Sequence, residues 1–452
     1  MSIVAQGDLS VFDLLLPPIY LFLILMIAHF IKVKNIGSKP EYKYFIYGLS
    51  AKMIGAIALG LVYFFYYGDG GDTTNYYESA RAYVNLFFKN QEDFFWGWLG
   101  DATGKDAYFF DDSTGYSIYR HRDAHSFFVV RLLIPIMALA FNSYFTCAIL
   151  VATITYSGVW KLYQTFLEEF PALKKELAIA ILFIPSCVFW GSGLMKDSFT
   201  LAAVGWYTYT FYWFFIRKKR NPWYAVALVI ATFVLISIKP YIVFALLPGS
   251  ILWLSNEQIK KIQNKTLRML TAPILLALGA VMAYVALDQL GDSLGFYRVD
   301  TVLDRAVVVQ QDMKAEYYGG KTFDIGEFDA SAQGVLQKAP MAIFSGIFRP
   351  GLWDVRNAVM LVSSLENTYI LILATFLLFR LKFLGFFSLI RANPMLLFSM
   401  LFSLFFAFSI GLTVANFGSL VRLRIPELPF FVAGLFILRY LYEKKSGKKF
   451  RI

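Results

Sequence analysis

IGAIALGLVYFFY, residues 54–66, runs without a charge into YGDGGDTTNYYESARAYV, residues 67–84, where two aspartates, three glycines and a row of tyrosines crowd together. The first half has the character of a membrane span and the second marks where the chain leaves the bilayer. Apolar runs of this kind recur from end to end, several near the roughly 20 residues needed to cross hydrocarbon. They fall near 11–33, 43–66, 143–165, 176–190, 197–216, 222–237, 240–255, 269–288, 359–379, 395–414 and 425–442. The chain is 58% hydrophobic and only 16% charged, whereas soluble domains carry about 25% charged residues. The expected fold is therefore an all-α polytopic membrane protein, residues 1–452 forming one integral membrane domain with about eleven transmembrane helices. The 46 Phe and 28 Tyr suit lipid contact and interfacial belts.

The net charge of +11 does not point to nucleic acid, because the basic residues cluster in short links between spans. KVKNIGSKPEYK, LEEFPALKKE, RKKRN, NEQIKKIQNKTLR, RLKF…IRAN and the tail YEKKSGKKFRI hold most of the Lys and Arg. Placing all of them in the cytoplasm gives one consistent topology, with the N-terminus outside and the C-terminus inside. FFVVRLLIPIMALAF, 127–141, is too short for a span, and counting it as one would put RKKRN outside, so it reads as re-entrant or interfacial. Links 67–126 and 289–358 are then the two long external loops. The N-terminal MSIVAQGDLSVFD lacks a basic n-region, so no removable signal peptide is expected. Cys147 and Cys187 sit in apolar runs without CxxC spacing, which argues against a disulfide or zinc framework.

Within the first external loop, Asp72 reads as the N-cap of a helix from Thr73. That helix would carry Tyr76, Ala80, Tyr83 and Phe87 on one face and lie flat at the membrane surface. Asp69 and Asp72 then sit beside the span, either as solvated caps or as carboxylates held for general-base work, with Tyr76 and Tyr77 supplying rings for a sugar. Further on, DDSTGYSIYRHRDAH puts His121 and His125 four residues apart, a metal-compatible spacing without an identifiable third ligand. No cofactor is required by this pattern, a divalent metal being only weakly supported, and a cationic phosphate contact through Arg120, His121 and Arg122 competes with a plain solvated loop.

Five cations map to external span ends, against the positive-inside rule: Lys196 and its neighbour Asp197 at a helix break, Lys239 in IKPY, Arg349 in FRPGLWD, and Arg422 and Arg424 before the last span. Singly each could be a snorkelling anchor or a local ion pair. Together, with Glu366 in SSLENTY near the lipid boundary, they suggest a basic pocket for an anionic lipid head group.

GDGGDTTNYY, FWGSGLMKDS, KPY, RPGLWD…LEN and NFGSLVRLRIPELPF resemble landmarks of bacterial polytopic proteins of envelope polysaccharide synthesis. Those include repeat-unit polymerases and, more loosely, GT-C-type lipid-linked glycosyltransferases. The resemblance implies a bacterial inner-membrane protein that uses polyprenyl-diphosphate-linked oligosaccharides, with an acidic residue matching Asp69 or Asp72 and arginines matching Arg422 and Arg424. In GT-C enzymes the acidic loop follows the first span, and here it follows the second. The chemistry is coherent: sugar transfer needs an acceptor hydroxyl deprotonated, an oxocarbenium-like centre formed and a (di)phosphate leaving group met by cations. Two other classes compete. A transporter or flippase of a lipid-linked or anionic solute predicts mid-span ionisable groups and broken helices; a non-catalytic envelope-assembly subunit predicts aspartates that only cap.

Overall fold

The computed structural model describes residues 11–67, 71–100, 109–119, 123–264, scattered positions from 266 to 275, residue 308, and residues 322–326 and 331–447. Helices are the regular structure among the described residues, apart from one isolated bridge between Thr322 and Asn416. Five helices among them are long and apolar enough to cross a membrane: Val11–Ile36, Pro40–Tyr67, Tyr144–Glu169, Met360–Ala392 and Pro394–Thr413. The chain is an all-helical membrane protein. Its packing divides into two compact units, residues 1–164, 187–208 and 230–239 forming one and residues 165–186, 209–229 and 240–452 the other.

The first unit begins with α1 (Val11–Ile36) and α2 (Phe45–Leu61), the latter introduced by a 3₁₀ turn at Pro40–Tyr44 and extended by a π turn at Val62–Tyr67. Then come α3 (Asp72–Lys89), α4 (Gln91–Leu99), α5 (Ala124–Leu139) and α6 (Tyr144–Glu169). Asp13, buried in the first turn of α1, accepts from Ser143 Oγ at 2.8 Å and so pins that end of α1 to the start of α6. Small residues let backbones close up: a Cβ on Gly158 would lie 2.1 Å from the Ala202 carbonyl, and one on Gly205 2.1 Å from that of Gly158. This brings α6 against α9 (Lys196–Phe211) by the small-residue packing common between membrane helices.

α3 is not the surface-lying helix expected. Tyr76, Ala80 and Tyr83 are buried as the spacing predicts, but so are Thr73, Thr74, Tyr77, Ser79 and Val84, because α3 packs against α5 and α4. Residues 176–190, expected as one span, form α7 (Lys174–Leu182) and α8 (Pro185–Trp190). Pro185 stops the first and suits the first turn of the second. The segment read as re-entrant, 127–141, is the 16-residue α5, about 24 Å long at 1.5 Å per residue.

The second unit contains α7, the end of α10 (Pro222–Ile238) nearest Pro222, and α11 (Pro240–Lys261). After the expected span 269–288, which lies almost entirely outside the described residues, come α12 (Ala332–Phe348), α13 (Ala358–Ala392), α14 (Pro394–Thr413), α15 (Phe417–Leu423) and α16 (Leu428–Ser446). α14 is central, packing on α11, α12 and α16. α12 lies within the long link 289–358. It crosses α14 so closely that Cβ atoms on Gly346 and Gly411 would meet the Ala407 and Ala342 carbonyls at 2.3 and 1.9 Å. A small residue every fourth position on both helices permits that crossing.

Candidate functional site

The site in the first unit grows from the start of α3. Gly71, not Asp72, is the N-cap residue: Thr74 Oγ1 accepts from Gly71 N and donates to Gly71 O, both at 2.8 Å. Gly71 is extended, and it is glycine for room, since a Cβ would lie 2.5 Å from the Tyr63 ring. Asp72 is thereby the first residue inside the helix, where the helix dipole favours its charge. Its carboxylate accepts from Tyr119 Oη at 3.3 Å.

From Tyr119 a chain of side-chain contacts, one ring stack followed by hydrogen bonds, leads inward. The Tyr119 ring stacks on Tyr76 with centroids 4.8 Å apart. Tyr76 Oη donates to Ser126 Oγ at 3.3 Å, Ser126 Oγ donates to Asp123 Oδ2 at 2.5 Å, and Lys196 Nζ donates to the same oxygen at 2.8 Å. Asp123 is the N-cap of α5, accepting from His125 N at 3.0 Å, while His125 Nδ1 meets Ser237 O at 2.8 Å. Burial alone would raise the Asp123 carboxyl, but the Lys196 charge and the three hydrogen bonds outweigh it and hold the group at about 2. Lys196 is pulled below the ordinary lysine value, first by burial and then by repulsion from Lys239, while Asp123 and Asp72 act the other way.

Lys239 ends α10, its N–H bonding to Leu235 O, and the following Pro240 bars helical continuation. Its ammonium meets Asp197 in the first turn of α9. The cluster thus sets three carboxylates (Asp72, Asp123, Asp197) against two ammoniums (Lys196, Lys239). It is a mixed-charge network, in which aspartates accompany the cations.

Arg349, Arg422 and Arg424 belong to the second unit. Arg349 holds Asp354 through two bonds of 3.1 and 2.6 Å and lies over the rings of Phe323 and Phe417. Arg424, expected to bind phosphate, is wholly buried. It donates to the Ile347 and Arg349 carbonyls at 3.1 Å each and to Asn367 Oδ1 at 2.5 Å, with Glu366 at 3.8 Å. It clamps the C-terminal carbonyls of α12, a structural duty that a cation performs well. The two oxygens of Glu366 accept from Ser186 N and Ser186 Oγ at 2.9 and 2.6 Å. Arg422 is half-buried on α15.

Tyr76 and Tyr77, expected to contact sugar, are buried, and Tyr77 Oη donates to Asn142 O at 2.9 Å. Asp69 and His121 lie outside the described residues. Among the described residues no group of three or more His, Cys, Asp or Glu could hold a metal. Sequence reasoning missed Tyr119 and Ser126, and it missed Lys52, a buried lysine in α2 that donates to Gly191 O in the turn before α9. One charge inside an apolar run was the signal available for Lys52. No protein-family model, curated protein or solved structure matches the chain.

Proposed function

We propose that the chain is a membrane-embedded glycosyltransferase or polysaccharide polymerase acting on polyprenyl-(di)phosphate-linked sugars at the external face of a bacterial inner membrane. The observation that carries this reading is the path from the half-buried Asp72 through Tyr119, Tyr76, Ser126 and Asp123 to Lys196. It sets a carboxylate able to accept a proton in the same cluster as cations able to meet a phosphate. In the reaction, the acceptor hydroxyl loses its proton to Asp72 as its oxygen bonds to the anomeric carbon. The bond from that carbon to the phosphate oxygen breaks, and the leaving charge is met by Lys196, the more exposed of the two lysines. The reading includes about eleven spans, loops 67–126 and 289–358 outside and the C-terminus in the cytoplasm.

In-vitro transfer from polyprenyl-diphosphate-linked sugars, comparing the wild type with Asp72→Asn, tests it. Thr74 and Gly71 hold the helix start, so Asn at 72 should insert normally and lose about 10²–10⁴-fold in rate. Equal turnover by both proteins would remove Asp72 from the chemistry. One observation favours a second reading, a transporter or flippase: the buried Asp197–Lys239 pair joins two helix breaks. Movement of a lipid-linked sugar across a proteoliposome bilayer, with no transfer product, would select that reading.

A further inference from the structure

At the opposite end of α2 from Asp72, the first unit holds a cavity of about 270 Å³ between three candidate spans, α1, α2 and α6. Ile24, Ile27, Leu49 and Tyr156 make its walls almost wholly apolar, and Trp160 and Lys161 close one end. The packing that forms it is specific. Gly48 leaves room for Tyr156, whose hydroxyl donates to Phe45 O at 2.8 Å. α1 is pinned at its far end through Asp13 and Ser143, and its large apolar side chains stay exposed over most of its length. The cavity between α1, α2 and α6 therefore adjoins the exposed apolar face of α1.

Two polar groups mark the closed end. The indole N–H of Trp160 is buried with no acceptor among the described residues, an arrangement that costs free energy unless something fills it. Lys161 lies over the Trp206 ring at 5.7 Å, donates to Gln164 Oε1 at 3.1 Å and interacts electrostatically with Lys39. An apolar slot ending in a donor and a positive charge complements a hydrocarbon chain that carries an anionic head group.

We propose that this groove binds one acyl chain of an anionic phospholipid, with its head group at Trp160 and Lys161. The ligand is not the sugar-lipid substrate. The groove adjoins Phe45 at the start of α2, and Asp72 follows its end, roughly 30 Å away at 1.5 Å per residue. A head group at Lys161 therefore belongs to the other leaflet, and the inference stands whichever chemistry Asp72 performs.

Native mass spectrometry on the full chain, taken from nanodiscs of equal phosphatidylglycerol and phosphatidylethanolamine, tests the proposal. The wild type should retain one phospholipid with phosphatidylglycerol enriched about fivefold, as expected for about 1 kcal/mol per lysine. Lys161→Gln should return the ratio to that of the bulk, Trp160→Phe should lower total retention, and Ile24→Trp, which fills the slot from α1, should abolish it. A bulk ratio in the wild type, or enrichment unchanged in Lys161→Gln, overturns the proposal. So does retention of polyprenyl phosphate in place of phospholipid. If Lys161→Gln does not purify as a monodisperse protein, Trp160→Phe decides, and wild-type retention by it overturns the site.

Discussion

Lys239 Nζ stands 2.5 Å from Asp197 Oδ1, and the two side chains are 5% and 0% exposed. A buried pair of this kind contributes little over an apolar pair of the same size, but removing one partner strands the other charge. Asp197→Leu or Lys239→Met alone should each destabilise the protein by about 3–5 kcal/mol, and the double variant should recover most of that loss. Thermal unfolding in detergent, followed by intrinsic fluorescence, measures it. A double variant no more stable than the worse single one would show that the pair is not what holds these helix breaks.

Acid should reveal Asp123. The folded protein keeps its carboxyl ionised down to about pH 2, while the unfolded chain protonates it near its ordinary 3.8. The folded value is the depressed one, so its contribution is complete above about pH 5 and fades as pH falls from about 4 to 2. Asp123→Asn should flatten that part of the stability–pH curve, and Lys196→Met should shift it toward higher pH. An identical curve for Asp123→Asn would show that another carboxylate governs it.

The two arginines before α16 should separate by phenotype. Arg424→Lys replaces a fork that serves two carbonyls and an amide with a single ammonium. It should lower the yield of monodisperse protein on gel filtration. Arg422→Gln, at a half-exposed position on a short helix, should purify like the wild type. Well-folded Arg424→Lys that loses only transfer activity would return Arg424 to the list of phosphate ligands.

Orientation is open to cysteine labelling, because both native cysteines are buried and can be replaced. In a background with Ala at 147 and 187, Ser113→Cys should react with an impermeant maleimide on intact spheroplasts. Ser446→Cys should react only after permeabilisation. The reverse pattern would invert the topology.

The long apolar runs of α1, α2, α6, α13 and α14 were readable directly, since about 20 apolar residues in sequence need no partner to be recognised. α12 was not. Its AQGVLQKAPMAIFSGIF mixes polar with small residues, and its helix is secured by the Gly346 and Gly411 crossing, a contact between segments far apart in the chain. The site divided in the same way. Asp72, Lys196, Asp197 and Lys239 stood out as charges at span ends, yet the pairing of 197 with 239 and of 123 with 196 spans 42 and 73 residues and leaves no local pattern. The cap was misassigned because Asp72 is the stronger local candidate by residue type, whereas Gly71 takes the position with Thr74 Oγ1 bonded to its N–H and C=O.

The interleaving of the two units has a consequence for how the protein is made. The chain leaves the first unit after residue 164 and completes it only at residue 239. A ribosome adding 5–20 residues per second takes roughly 4–15 s over those 75 positions. Throughout the first part of that interval Asp72 and Asp123 are already synthesised, while Lys196 and Lys239 are not. A fragment cut at Gln164 would be frozen in that half-made state, so co-expression with the remainder, rather than truncation, is the route to studying the first unit in pieces.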